Sequence, residues 1–339
     1  MSHRYNFALI GCGAVAAMHA KAINGLDKGE LFGVYDSRKE SAEKFAEKHG
    51  CKVFTTIEEL LGCTDVHIVD ICTPSGLHAE YAIQAANAGK HVVVEKPLAI
   101  TQAQLDGVVQ AAEKNHTQVA VITQLRFTPS VMKAKKAIDE GRLGKILMAD
   151  FKGKFYRSKE YYTKSGWRGT WAMDGGGAMM NQGIHGIDII QYLMGGVKSV
   201  QALCRTQMHD IETEDSAYVL VEYKNGAIGA LHSTTAAMPG YPREIEINGT
   251  KGTIKLEEDE IKCWDVEGET ETLGKTDSNA ASDPMAFSHA YHQLQLAELL
   301  DALDQERAPI VDVYEGKKPV EIILAAYESS KTGKRIELK

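Results

Sequence analysis

Asn181, His185 and Asp188 stand four and three residues apart in a segment, Asp174 to Gly195, that opens on three glycines. It closes on apolar residues at helical spacing (Ile184, Ile187, Ile190, Leu193, Met194). On a helix this spacing puts the three polar residues on one face. A histidine between an amide and a carboxylate, just inside a helix that follows a tight turn, is placed to act as a general base. Lys96, in the triplet Glu95-Lys96-Pro97, is the second candidate. Pro97 biases it toward extended backbone, with a cis bond open to it, and an ammonium there can hold a developing alkoxide by charge and hydrogen bond. A base and an alkoxide holder together suit removal of hydrogen from an alcohol.

Such chemistry needs a hydride acceptor, and the N-terminus offers a place for one. Phe7 to Ile10 is a short apolar run ending in Gly11-Cys12-Gly13-Ala14-Val15-Ala16, a GxGxxA turn between strand and helix. Gly11 makes the tight turn, Gly13 lets a pyrophosphate approach the backbone, and Ala16 lets helix and strand pack closely. The next strand, Leu31 to Tyr35, ends in Asp36, 25 residues after Gly11. A carboxylate there hydrogen-bonds the hydroxyls of an adenosine ribose. It would oppose a 2′-phosphate by on the order of 1–4 kcal/mol at intermediate dielectric, so NAD is expected over NADP. Arg38, beyond Ser37, either offsets that repulsion or stacks on adenine.

These residues need a scaffold, and the pattern supplies one. Helical stretches (Lys39 to His49, Ile57 to Leu61, Leu77 to Ala88, and one capped by Thr101 running through Lys114) alternate with short apolar strands (Lys52 to Phe54, Val66 to Ile71, Val92 to Val94, Val119 to Ile122). The alternation implies an α/β fold: a Rossmann-type, doubly wound parallel sheet over residues 1–124. Ligands bind beyond the carboxyl ends of such strands. Gly11, Asp36, Thr73 and Lys96 therefore share one rim, with Pro74, His78, Glu95 and Gln124 as further cofactor-binding candidates.

After Gln124 the pattern changes. One helix (Val131 to Ile138) precedes seven strands: Ile146 to Lys154, Val200 to Cys204, Ala217 to Tyr223, Ile228 to Thr234, Glu244 to Asn248, Thr253 to Leu256 and Ile261 to Trp264. Turn signals at Lys224-Asn225-Gly226 and Gly249-Thr250-Lys251-Gly252 imply a largely antiparallel open sheet in a C-terminal α+β domain, residues 125–339, for substrate binding and oligomerisation. Glu267 to Asp283 reads as a polar loop, and helices at about Phe287 to Asp304 and Tyr314 to Lys331 close the chain. Early in this part lies a cationic and aromatic cluster: Arg126, Lys152, Lys154, Arg157, Lys159, Tyr161, Tyr162, Lys164, Trp167 and Arg168. It suits an anionic substrate, arginine gripping carboxylate or phosphate and aromatics covering sugar or base.

Composition narrows the choice. The 339 residues are 44% hydrophobic and 25% charged, with a net charge of -8, so phosphate-rich nucleic acid is not the expected partner. No apolar run approaches the ~20 residues of a membrane span, and the N-terminus enters a strand pattern without a signal-peptide pattern. The six cysteines have no metal-ligand spacing and read as reduced thiols of a cytoplasmic protein, with no metal expected.

The turn GCGAVA, the block CTPSGLHAEYAIQAANAGKHVVVEKPL and the segment GGGAMMNQGIHGID together resemble the Gfo/Idh/MocA family of sugar and cyclitol oxidoreductases. The resemblance runs over essentially the whole chain. It implies that Lys96 and His185 are catalytic, that Pro97 is cis, and that the protein is a homodimer or homotetramer assembled through the C-terminal sheet. Many members carry Asp where this chain has Asn181, which orients by hydrogen bonds instead of serving as a charged relay. The Asn form, with Tyr161-Tyr162 and Trp167-Arg168-Gly169-Thr170-Trp171, looks like members that oxidise UDP-N-acetylglucosaminuronate at the third sugar carbon. Arg126, Arg157, Tyr162, Trp167, Arg168, Asn181 and Asp188 are the expected substrate contacts. A dehydrogenase of inositol, a free sugar or a glycoside is the alternative. A catalytically silent NAD-binding sensor is the reading from another class, opposed by the presence of both Lys96 and His185.

Overall fold

A computed structural model describes residues 4–271 and 289–338, which form two compact units. The first holds residues 1–124 together with 288–317. Its strands are β1 (Tyr5–Ile10), β2 (Gly29–Tyr35), β3 (Lys52–Val53), β4 (Ile68–Ile71), β5 (His91–Val94) and β6 (Val119–Val121). They pair in the order β3-β2-β1-β4-β5-β6, all parallel. The order reverses beside β1, the point at which doubly wound sheets bind dinucleotides. Helices α1 (Ala14–Asn24), α2 (Lys39–His49), α3 (Ile57–Gly62), α4 (His78–Asn87) and α5 (Gln102–Asn115) link the strands, two of them starting at threonine caps, Thr56 and Thr101. Strands covered on both faces read as continuous apolar runs. Asp70, fully buried inside Ile68–Ile71, interrupts one of these runs.

Of the described residues, the second unit holds 125–271 and 318–338. It contains α6 (Pro129–Asp139), β7 (Ile146–Lys154), α7 (Lys159–Thr163), α8 (Ile184–Met194), β8 (Val197–Arg205), β9 (Ser216–Tyr223), β10 (Ile228–Thr234), β11 (Glu244–Gly249), β12 (Gly252–Glu257), β13 (Glu260–Val266) and β14 (Glu269–Glu271). With β15 (Ile336–Glu337) these strands make a nine-stranded sheet, β14-β13-β12-β11-β7-β10-β9-β8-β15. Every neighbouring pair is antiparallel except β7 with β10. Helix α8 lies on β7, where a Cβ at Gly186 would come within 2.1 Å of the Phe151 ring. The opposite face leaves large apolar side chains in solvent, among them Leu203, Tyr218, Leu220 and Ile228.

Three expectations are corrected. A single domain over 125–339 does not hold, because residues 288–317 pack into the first unit. There Leu296, Leu299 and Leu300 of α9 (His289–Asp304) join the core of Ala16, Ala20 and Ile23 from α1, and Gln295 bridges the Val121 carbonyl (2.7 Å) and the Thr123 amide (3.0 Å). Glu267 to Asp283 is not wholly loop, since β14 pairs with β13; residues 272–283, the rest of that stretch, lie outside the described residues. Asn181 is not on the helix of His185 and Asp188. It belongs to a π-helical turn, Ala178–Gly183, whose wider winding ends before α8 starts.

Candidate active site

The rim of the first unit is built by parallel strands ending together. Gly11 follows β1, Asp36 follows β2, Thr73 follows β4 and Lys96 follows β5. Gly11 has φ +94°, and a Cβ there would lie 2.8 Å from the Cys72 carbonyl oxygen, so the turn requires glycine. A Cβ at Gly13 would meet nothing within 4 Å, which leaves open space above the turn. Gly13 caps α1 without a side-chain hydrogen bond, and the first turn, including Ala14 and Val15, holds no acidic residue. These unclaimed amides at a helix N-terminus suit a pyrophosphate. Asp36 accepts the amides of Cys12 (2.9 Å) and Arg38 (2.9 Å), which fixes its carboxylate beside the turn. The exposed Arg38 lies 3.6 Å from it. The Thr73 hydroxyl and the Gln124 amide oxygen are buried without partners, as groups awaiting a ligand would be. The residues present therefore fit NAD.

Two cofactor candidates have other employment. The buried His78 ring lies between carbonyl oxygens, Nδ1 2.7 Å from Pro97 and Nε2 2.8 Å from Thr73, so it ties two rim turns together and has no nitrogen left for a cofactor. Burial pulls it below the ordinary histidine range. Glu95 is also internal: one carboxylate oxygen faces His19 at 3.1 Å and the other accepts the Lys96 amide at 3.0 Å. The Lys96–Pro97 bond is cis.

In the second unit the cationic cluster sorts itself by partner. Lys152, Lys154, Lys159 and Lys164 are exposed. Arg126 is buried and bidentate to Asp188, with Nε–Oδ2 2.8 Å and Nη2–Oδ1 2.6 Å, and its guanidinium lies over Tyr192. Both are expected substrate contacts, and in the structure each neutralises the other. The hydroxyl of Tyr162, another expected contact, is buried 2.8 Å from Thr235, and its ring backs Tyr161 edge-on.

Arg157 and Arg168 remain, and among the described residues neither pairs with a carboxylate. Both flank Tyr161, with guanidinium carbons 5.6 and 4.4 Å from its ring centre, and Trp167 lies 5.0 Å from Arg168. Each keeps a buried Nε without a partner. Burial pulls Arg157 below its ordinary range, and the neighbouring charge of Arg168 adds to that pull. Two partly desolvated cations with no counter-charge form a ready anion site. The Tyr161 hydroxyl accepts from Gln182 at 2.7 Å and donates to Asn181 at 3.3 Å. Asn181 in turn donates to the buried Asp174 at 2.7 Å. Tyr161, absent from the expected contacts, is thus the hub joining the arginines to the turn that precedes His185.

The three glycines place that turn. A Cβ at Gly177 would sit 1.8 Å from the Glu214 carbonyl oxygen, and one at Gly176 would sit 2.1 Å from the Tyr327 hydroxyl. The Glu214 side chain then accepts the amides of Gly177 (3.0 Å) and Met179 (2.8 Å).

Comparison with known proteins agrees with this geometry. Residues 5–123 match the family described as "Oxidoreductase family, NAD-binding Rossmann fold", and residues 131–255 match the "GFO/IDH/MocA C-terminal domain". The WlbA dehydrogenase of Chromobacterium violaceum, solved with NADH and UDP-GlcNAcA, is 33% identical, with a TM-score of 0.89 over 100% of this chain and 97% of that one. The WlbA dehydrogenase of Bordetella pertussis, solved with the same ligands, is 30% identical, with a TM-score of 0.87 over 99% of each chain. An inositol 2-dehydrogenase of Rhizobium meliloti is 28% identical over 74% of this chain and 75% of its own length. The fold and rim define an NAD-binding oxidoreductase of the sugar and inositol dehydrogenase type. The chain belongs to the Gfo/Idh/MocA family.

Proposed function

We propose that the protein oxidises a secondary hydroxyl of an anionic, nucleotide-linked sugar, with UDP-N-acetylglucosaminuronate, at its third carbon, as the best candidate. The observation that carries this reading is the Arg157–Tyr161–Arg168 cluster, two cations without a carboxylate partner beside aromatic rings. A neutral cyclitol would leave both charges unanswered. The ligand of the two WlbA structures carries a diphosphate and a carboxylate, which points the same way.

In this reading His185 takes the hydroxyl proton and Lys96 holds the oxygen as negative charge develops on it. When bound, the nicotinamide cofactor supplies the hydride acceptor. Asp36 favours NAD over NADP, because a 2′-phosphate would meet a carboxylate already fixed by two amides. Asn181 orients through Asp174 and Tyr161, and Trp167 offers a face for a sugar or base. The cytosol is the assigned compartment, in keeping with six cysteine thiols that form no disulfide. The exposed apolar side chains of the second unit's sheet support assembly with further copies of the chain.

The test is NADH formation by purified protein across UDP-sugars, uronates, inositols and simple glycosides, with NADP in parallel. Turnover of UDP-N-acetylglucosaminuronate with NAD is expected, along with losses of roughly 100-fold or more in His185→Ala and Lys96→Ala. Turnover confined to inositols or glycosides would overturn the substrate. Near-normal rates in both variants would overturn the mechanism.

A further inference from the structure

The first unit buries a chain of ionisable groups that the reaction itself does not use. His19, on α1, is fully buried with both ring nitrogens facing carboxylates. Its Nδ1 lies 2.9 and 2.8 Å from the two oxygens of Asp70 on β4, and its Nε2 lies 3.1 Å from Glu95 Oε1 at the end of β5. A neutral imidazole donates through one nitrogen only. Acceptor carboxylates at both therefore call for the doubly protonated ring, and a buried carboxylate left without that partner would be costly. Burial works against the charge on His19, yet Asp70 outweighs it and holds the ring well above the ordinary histidine range. Burial likewise disfavours charge on Glu95, and the bonds from His19 and His292 outweigh it, holding the carboxyl well below its ordinary range. His292, from α9, faces the same oxygen at 3.7 Å, and Cys72 faces Asp70 at 3.8 Å.

The second oxygen of Glu95 reaches forward and accepts the Lys96 amide at 3.0 Å. Thus α1, which begins at the glycine turn, β4 and the Lys96 turn are joined through one imidazolium. We propose that His19 and Glu95 are positioning residues, an ionic strut that sets the Lys96 turn against the cofactor-turn helix so that Lys96 can hold the substrate oxygen. This rests on the assignment of Lys96 given above.

Glu95→Gln probes the strut, because an amide has one acceptor oxygen where the carboxylate has two. Either His19 Nε2–H or the Lys96 N–H must then face another N–H. The experiment is a double-mutant cycle on the full chain with NAD and UDP-N-acetylglucosaminuronate, combining Glu95→Gln with Lys96→Ala. Glu95→Gln should lower kcat about tenfold with NAD affinity retained. Lys96→Ala should cost about 100-fold alone and only about tenfold in the Glu95→Gln background, so that the double variant is no slower than Lys96→Ala. Losses that multiply would overturn the strut while leaving Lys96 in its role. A silent Lys96→Ala in an active enzyme would remove the role of Lys96 and the positioning claim with it. If Glu95→Gln does not fold, Asp70→Asn runs the same cycle from the far side of His19. Nitrogen-15 NMR of His19 reads the strut without turnover: protons on both ring nitrogens at pH 7 are expected, and a neutral ring there would overturn it.

Discussion

At the scale of single residues, the site divides into groups whose charge is answered within the fold and groups whose charge is not. Arg126 and Asp188 answer each other, as do His19, Asp70 and Glu95. Arg157 and Arg168 meet aromatic faces, and Arg157 the Tyr156 carbonyl, but among the described residues no carboxylate. Hydrogen bonds to charged groups contribute about 1.5–3 kcal/mol each, so Arg157→Met and Arg168→Met should each raise KM for UDP-N-acetylglucosaminuronate roughly 10- to 100-fold. Activity on a neutral sugar, where there is any, should change by no more than a few-fold. The check is steady-state kinetics of both variants on one charged and one neutral substrate; equal losses on the two would mean the arginines support the fold. Residue type and spacing made Gly11, Asp36 and Lys96 legible, because strand ends collect on one rim whatever the remaining sequence does. They did not separate Arg157 from Arg126, since a cation's partner lies across the fold: Asp188 is 62 residues from Arg126. Tyr161 was overlooked as a contact for the same reason, its role coming from neighbours gathered out of the segment after β7, the π-helical turn and the loop before it.

At the scale of elements, most strands and helices were readable from period and punctuation, as for β10, whose bounds Ile228–Thr234 match the apolar alternation. β14 has no such alternation in Glu269–Glu271 and exists because β13 offers it an edge. Helix α9 carries an apolar face that fits either core, so sequence alone does not assign it to the first. Nothing in AMMNQG distinguishes a π turn from an α turn; the contacts of Gly176 and Gly177 with Tyr327 and Glu214 set its start. That anchoring has a pH signature. Burial pushes the Glu214 carboxyl up to about 7, with the Gly177 and Met179 amides pulling the other way. The titratable neighbours Tyr327 and Cys204 are raised by burial, Cys204 to about 12, and bring no positive charge. A carboxyl raised on folding stabilises fully below its unfolded value, near 4.5, and loses that contribution as pH rises through 7. The loss runs between those two values at about 1.4 kcal/mol per pH unit and is complete once the folded carboxyl has ionised. Thermal unfolding of wild type and Glu214→Gln from pH 4 to 8 should diverge up to about pH 7, the wild type losing stability that the amide variant keeps. Parallel curves would mean that Glu214 is ionised throughout.

At the scale of the whole molecule, a net charge of -8 favours solubility, yet the second unit exposes a row of apolar side chains on one sheet face. Cross-strand register sets them side by side: Leu203 pairs with Tyr218, Tyr218 with His232, Leu220 with Ala230 and Ile228 with Met148. Leu203, Leu220 and Ile228 are about 60% exposed (63%, 64% and 59%). His232, stacked on Tyr218 with ring centres 3.8 Å apart, adds no charge at neutral pH, because burial and then Lys154 and Lys152 lower it to about 4. An exposed apolar row of this kind on an open sheet marks a protein interface, and self-complementary faces close most simply as dimers. Light scattering on the eluting wild type should therefore give a dimer or tetramer of the 37.1 kDa chain. Leu203→Lys combined with Leu220→Lys places charges directly on that face without disturbing the buried side of β8 or β9, and should shift the mass toward the monomer while the fold persists by circular dichroism. A wild type that runs as a monomer would refute the assembly, whereas an oligomer untouched by both lysines would move the interface to another surface.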